Sequence, residues 1–264
     1  MNGPAFDRGR AWYGWHASPD HGSQPRRIVL VPCGAVEQHG PHLPVGTDAW
    51  IAAAVAAQVA AARHRVLVGE PLAYGCSGHH RAFPGTVALR VSTFVDLVAD
   101  VATCLARDGD VPVFVNGHGG NRSPLSAALQ GLSDEGIEAW ALSYFELIED
   151  EVAAALPDHH GCVGHACALE TSLVWHLWPD AVHADRIPGP AAGGAWPDPF
   201  LYSRDRVVRH RRFETLDPSG VVGDPSRADP ALGARLFQAA VERVGEVVDR
   251  IARSEPATPP RASP

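Results

Sequence analysis

The stretch IVLVPCGAVEQHGPHLPVGTDAWIAAAVAAQVAAAR, Ile28 to Arg63, changes character twice along its length. Residues 28–34 form a short apolar run ending on glycine, the pattern of a strand buried on both faces. Residues 49–63 are dominated by alanine, the strongest helix former, and predict a helix capped by Thr47 or Asp48. Between them lies EQHGPHLPVGTD, 37–48, which gathers four side chains able to ligate a metal: Glu37, His39, His42 and Asp48. Strand, polar loop and helix in that order make one βα unit, with the ionisable groups at the carboxyl end of the strand.

Outward from this unit the alternation continues. VLVGEPLAY (66–74) holds a short strand or two interrupted by Pro71, TVALR (86–90) reads as another short strand, and a helix follows from about 93 to 107 with Ser92 as its cap. VPVFV (111–115) is a buried strand, a helix opens at Ser123-Pro124, IEAWALSY (137–144) is a strand, and a helix spans about 146–155. Then come a helix over 166–177 ended by Pro179, a proline- and glycine-rich stretch from Pro188 to Pro199, and a helix from about Pro230 to Arg253. This last helix carries Leu232, Leu236, Ala240, Val244, Val247 and Ile251 on one stripe, to be docked on the core or on another subunit. The repetition predicts an α/β fold, a three-layer α/β/α sandwich with a mainly parallel sheet. The 264 residues suit one domain over 1–255, with 256–264 a disordered tail.

Composition removes several function classes. A net charge of −8 leaves no basic stripe to neutralise phosphates, so nucleic acid is not an expected partner. No apolar run approaches the roughly 20 residues of a membrane span, and the N-terminus lacks a signal-peptide core, so the expected location is the cytoplasm. Five cysteines without a C-x-x-C pair indicate neither a disulfide framework nor a zinc ribbon, and read mostly as small buried hydrophobes. The 14 histidines, several of them beside glycines and carboxylates, call for a ligand census.

Glu37 and His39 are two apart, so in an extended segment they point to one side and can meet one ion or two neighbouring ions. Asp48 can cap a helix and still offer an oxygen to a metal. In NGHGGN (116–121), His118 ends a buried strand, while Gly119 and Gly120 permit close backbone approach or positive φ and can present N–H groups to an anion. In GHACALETS (164–172), His165 and Glu170 would diverge by about 140° on one regular helix, so they share a site only if His165 precedes the helix start. Each has an ordinary alternative: polar turn, helix cap, hydrogen-bonded structural histidine, solvent-facing helix residue.

Taken together, EQHGPHLPVGTD, YGCSGHHRAFPGT (74–86), VFVNGHGGN (113–121), GHACALETS and SGVVGDPSRA (219–228), in this order, resemble the creatininase family of metal-dependent amidohydrolases. The resemblance implies a creatininase-like fold and two divalent metal ions per subunit, with Glu37, His39, Asp48 and His118 as ligands and Asp48 bridging. Creatinine-hydrolysing members take a further carboxylate from N-G-H-Y-E-N, where this chain has Gly120, so Glu170 is the candidate for that ligand. His165 matches the family's proton shuttle and, with Glu170, is assigned to catalysis. Mixed nitrogen and oxygen ligands suit zinc first, then manganese or iron, ions that activate water toward an amide carbonyl. Gly161, Cys162 and Gly164 replace residues that creatinine hydrolases carry ahead of the histidine, which argues against creatinine itself.

AYGCSGHHRAFPGT and GVVGDP further resemble the peptidase branch that trims a precursor peptide in mycofactocin maturation. The expected substrate is therefore a small amide, a cyclic amide or a short peptide. Gly119, Gly120, His79, His80 and Tyr144 are the candidate substrate-binding residues; Phe83, Trp175 and Trp178 either join them or are ordinary core. His42 matches no family ligand and is assigned a supporting role. The family further implies a homo-oligomer, a hexamer. A metal-dependent phosphoesterase and a catalytically silent metal-binding scaffold subunit are the rival classes, separable by model amides, phosphate esters and metal content.

Overall fold

A computed structural model describes residues 9–22, 25–156, 163–189 and 209–254. Four strands, β1 (Ile28–Cys33), β2 (Val66–Val68), β3 (Val111–Asn116) and β4 (Trp140–Ser143), form one sheet in the order β2-β1-β3-β4, every pairing parallel. The register sets Ile28 against Val111 and Cys33 against Asn116, so β1 and β3 start and end together. The chain runs from β1 out to β2 on one side and returns to β3 on the other. The crevice between the carboxyl ends of β1 and β3 is thus the switch point of the sheet, where α/β folds place ligands.

Period-two alternation along the strands feeds two separate cores. Val29, Val31 and Phe114 face α2 (Val91–Arg107) and α3 (Arg122–Asp134), packing with Phe94, Val98, Leu125 and Leu132. Ile28, Leu30, Val113 and Val115 face the other way, toward α1 (Thr47–Ala61), α4 (Tyr144–Leu147), α5 (Glu149–Ala155), α6 (Ala168–Leu177) and α7 (Pro230–Arg253). The result is the expected three-layer α/β/α sandwich. α7 packs along α6 and α1, burying Leu232, Leu236, Ala240, Val244 and Ile251. Val247 packs partly buried against the same core, and Val248 joins the stripe as a buried member.

Several local expectations change. α2 begins at Val91 with Arg90 in the cap position, so Ser92 lies inside the first turn and is not the cap. TVALR is not a strand; Val87 makes a single antiparallel bridge to Val36, and its half-exposed neighbours have no sheet to join. The helix expected over 146–155 breaks at Ile148 into α4 and α5. The cap of α1 is Gly46, with no side-chain hydrogen bond, and both Thr47 and Asp48 lie inside the first turn. Asp48 is not a cap because its carboxylate turns toward histidines instead of the helix N–H groups. The expected tail at 256–264, Gly161, Cys162 and most of the Pro188–Pro199 stretch lie outside the described residues. Three of the four described cysteines, Cys33, Cys76 and Cys167, are buried, and Cys104 is exposed. No helix among the described residues is long and apolar enough to cross a membrane.

Candidate metal centre

The ionisable groups reach the switch point from four different elements. Glu37 and His39 sit on the loop leaving β1, Asp48 in the first turn of α1, His118 at the end of the loop leaving β3, and Glu170 in the first turn of α6. Glu37 and His39 are wholly buried, at 0% exposure, where a lone charge would be severely destabilising. Gly117 makes this convergence physical: a Cβ there would strike the Asp48 carbonyl, so only glycine lets α1 start against the end of β3.

Two donor sets emerge, joined at Asp48. Asp48 Oδ2 lies 3.0 Å from His118 Nδ1, which is also 3.2 Å from Glu37 Oε1. Asp48 Oδ1 lies 3.0 Å from His39 Nε2, which faces Glu170 Oε1 at 3.9 Å. Within each trio, Glu37–Asp48–His118 and His39–Asp48–Glu170, the donor atoms all fall within 4.8 Å of one another. The outer ring nitrogens are anchored on carbonyls: His39 Nδ1 donates to Glu37 O at 3.1 Å and His118 Nε2 reaches Cys76 O at 3.4 Å. In the neutral rings the inner nitrogens are then bare lone pairs pointing at carboxylates, which demands a positive charge between them. Both oxygens of Glu37 and Oδ2 of Asp48 are buried without a hydrogen-bond partner among the described residues. A donor set of imidazole nitrogens and unsatisfied carboxylate oxygens fits a divalent metal.

The titration tendencies sort the histidines the same way. Burial opposes protonation everywhere, yet Asp48 and then Glu170 push His39 up to about 10. Glu37 and Asp48 likewise carry His118 well above the usual imidazole value against its burial. His42 and His79, by contrast, are pushed down to about 4 and His165 to about 3, burial being the largest cause, and His80 falls as well. Of these six histidines, only the two facing paired carboxylates call for positive charge. Asp48 is held below the usual carboxylate range because His39 and His118 outweigh its burial, whereas burial raises Glu170 to about 7.

His165 precedes α6, in a bridge with Val222, so it and Glu170 can both face the centre. Ala166 takes the turn between them at φ 50, a left-handed conformation that a non-glycine residue adopts only under constraint from its surroundings. His165 Nε2 donates to Gln38 O at 2.8 Å, and its bare Nδ1 lies 3.6 Å from Glu37 Oε1.

The candidate substrate residues divide. His79, half-buried, stacks on His118 with ring centroids 5.5 Å apart, and His80 is buried beside His165 at 4.3 Å. Gly119 and Gly120 form a single 3-10 turn with ordinary negative φ, so the positive-φ reading is corrected. Close approach is what Gly120 provides: a Cβ would collide with His118 Nε2 and Cys76 O, leaving no room there for a carboxylate. Tyr144 is 1% exposed within the apolar core, near enough to Glu170 and Asp48 for their charge, added to burial, to raise its phenol. Trp178 meets Trp50 edge-on at 5.7 Å and packs against the same core, Trp175 is half-buried on α6, and Phe83 is half-buried in the loop after β2. His42 Nε2 pairs with Thr171 Oγ1 at 2.9 Å, tying the first loop to the residue after Glu170.

Two site residues went unread in the sequence. Phe213 closes over the histidines, 4.2 Å from the His80 ring and 5.3 Å from His165. Nothing in its local context, RHRRFET, signals this. Gln38 could have been found, since it lies between two candidate ligands.

Comparison with known proteins bears directly on this geometry. The family model described as Creatininase, creatinine amidohydrolase, matches residues 14–248. A mycofactocin precursor peptide peptidase from Mycolicibacterium smegmatis is 38% identical over 235 residues, covering 87% of this chain and 86% of the relative. A creatinine amidohydrolase from Pseudomonas putida is 34% identical over 177 residues, covering 61% of this chain and 68% of the relative. Among solved structures, a manganese creatininase superposes with a TM-score of 0.74 at 26% identity, covering 92% of this chain and 99% of the other.

Proposed function

This chain belongs to the creatininase family of metal-dependent hydrolases of C–N bonds, and from that premise we propose that it binds two divalent ions and cleaves a small amide, a cyclic amide or a short peptide. The observation that carries the reading is Asp48: its two oxygens face histidine nitrogens from two different donor sets, the arrangement a bridging carboxylate requires. Glu37, Asp48 and His118 would hold one ion, and His39, Asp48 and Glu170 the other, with zinc the best match to these ligands and manganese or iron next. Ions bound there supply Lewis acidity, polarising a carbonyl and easing deprotonation of water.

The protein's own groups do the rest. Burial of Glu37, His39 and His118 excludes bulk water and strengthens each electrostatic contact. His165 has its Nε2–H committed to Gln38 O, so a proton can be accepted only at Nδ1, on the side facing Glu37. Returning that proton to the leaving nitrogen is what amide cleavage needs, because an amine anion is a poor leaving group. His79 lies over His118 on the partly open side, placing it where a substrate enters, with Gly120 against its ring and the exposed Gly119 next in the chain.

A second reading narrows the substrate. The 38% identity to a mycofactocin precursor peptide peptidase over 87% of this chain favours cleavage of a modified precursor peptide. Work in the cytoplasm as a homo-oligomer, a hexamer by family resemblance, belongs to the same proposal; exposed Val45, Tyr74, Val87 and Val91 offer apolar surface for subunit contact. Elemental analysis of the purified protein, joined to a panel of model amides, short peptides and phosphate esters, tests the whole. Two ions per chain with amide or peptide hydrolysis is the expected outcome. Fewer than one ion per chain and no turnover would point instead to a silent scaffold subunit.

A further inference from the structure

The motif SGVVG at 219–223 lies across the site yet supplies no ligand. Val222 exchanges both backbone hydrogen bonds with His165, at 2.8 and 2.9 Å, and the Gly220 carbonyl accepts from Gln38 Nε2 at 3.0 Å. Gln38 is 5% exposed, and its amide cannot be turned round. Oε1 accepts the Gly40 N–H at 2.8 Å while Nε2 donates to Gly220 O, and a flipped amide would set acceptor against acceptor and donor against donor.

The second hydrogen on Nε2 therefore points at His80 Nδ1, 2.9 Å away. That nitrogen must accept, which in a neutral imidazole places the ring proton on Nε2, the atom facing Glu37 Oε1 at 3.4 Å. The main chain of the same residue acts on His165 in the opposite sense: Gln38 O takes the Nε2–H and leaves the bare Nδ1 turned toward that Glu37 oxygen. We propose that Gln38 is a positioning residue that turns the N–H of His80 and the lone pair of His165 toward Glu37, with the 219–223 loop as its clasp. His80 then turns its N–H toward Glu37 at 3.4 Å, short of a formed hydrogen bond, and does not ligate. Two further clusters of donor atoms lie within reach of one another among the described residues: Glu37–His39–His165, which draws Glu37 and His39 from the two sets already described, and Glu37–His79–His80, which is accordingly not a metal group, because its His80 nitrogen carries the proton. Gly220 is the one residue that permits the clasp: its φ is +77, and a Cβ would collide with the Gln38 amide.

This inference uses the two-metal reading only for its consequence on metal affinity; the proton positions are read without it. Long-range proton–nitrogen spectra of the protein labelled with 15N at histidine, recorded with and without added zinc, report which ring nitrogen is protonated. His80 is identified by the resonances lost in His80→Asn. The expected wild-type result is His80 protonated at Nε2 alone. In Gln38→Glu an acceptor faces Nδ1, and the His80 proton is expected to move there; in Gln38→Met it is expected to divide between the two nitrogens. Zinc affinity in Gln38→Met, measured against a competing chelator, should fall by about 10–100-fold, as when an outer partner of a ligand is lost. A wild-type His80 protonated at Nδ1, or a tautomer unchanged in both variants, overturns the proposal. A protein that binds no zinc but shows the expected tautomer would sink the metal reading and leave Gln38's role standing.

Discussion

β1 and β3 carry buried charge at both ends, and the two ends behave differently. At the amino end, Arg27 and Asp110, each one residue before its strand, form a two-pronged ion pair, Nε to Oδ1 at 2.8 Å and Nη2 to Oδ2 at 2.7 Å. Arg27 Nη1 also reaches the Asp20 carbonyl, and Nη2 lies 3.2 Å from His21 Nδ1. At the carboxyl end, Glu37 and Asp48 are buried with oxygens that have no hydrogen-bond partner among the described residues. The first arrangement is closed: opposite charges satisfy one another, and removing either leaves its partner stranded. The second is open, with acceptors converging on acceptors, and is completed only by a cation. Buried charge alone therefore does not mark a functional site; unsatisfied convergence does.

The largest effect expected from this contrast is on activity. Glu37→Ala and Asp48→Asn should each cut kcat/KM by more than the roughly 100-fold that loss of an outer partner costs. Activity per folded molecule is the readout that separates the two ends, since in metal-free protein His39 and His118 still pair with these carboxylates and either substitution also lowers the urea midpoint. Midpoints that collapse while activity per folded molecule survives would erase the distinction between the two ends. Next in size is Arg27→Met, which strands Asp110 and should lower stability by about 3–5 kcal/mol. Its kcat/KM per folded molecule should be unchanged, and Asp110→Leu added to it should restore most of the loss, as urea unfolding of both variants would show.

A smaller effect follows from pH. His42, lowered to about 4 by burial and then by His39, stays neutral in the fold while the unfolded chain begins binding its proton near 6.5. Between those values the unfolded state holds more protons, so stability rises with pH across the window and is lost as pH falls from about 6.5 toward 4. Bound cations would repel the same protons and act in the same sense. His42→Gln should flatten that slope in a series of urea titrations, and an unaltered slope would remove His42 from the account. The smallest effect belongs to Arg243 and Glu151, an ion pair on the exposed faces of α7 and α5. Arg243→Ala should leave the urea midpoint and activity indistinguishable from wild type.

How much of this was legible in the sequence differs from residue to residue. β1, α1, β3 and α7 follow from local patterns, because apolar runs and alanine content act within a few residues. TVALR failed because β propensity cannot supply a partner strand, and Val87 found only one bridge. The capping role of Asp48 failed because cap statistics do not register two histidines arriving from other segments. Phe213 was invisible because its packing on His80 spans more than a hundred residues of chain.

The sequence by itself determined the inventory: a parallel α/β fold, ligand residues at the carboxyl ends of its strands, and membership of a metal-dependent family whose motifs appear in order. Tertiary structure decided the grouping. It divided the donors into two sets hinged on Asp48, turned a lone pair of His165 and an N–H of His80 toward one carboxylate through Gln38, and sent Tyr144 into the core. The reason is directional. Residue type states what a side chain can bond, but which atom faces which is set by strand register, helix starts and loop contacts that no local stretch contains.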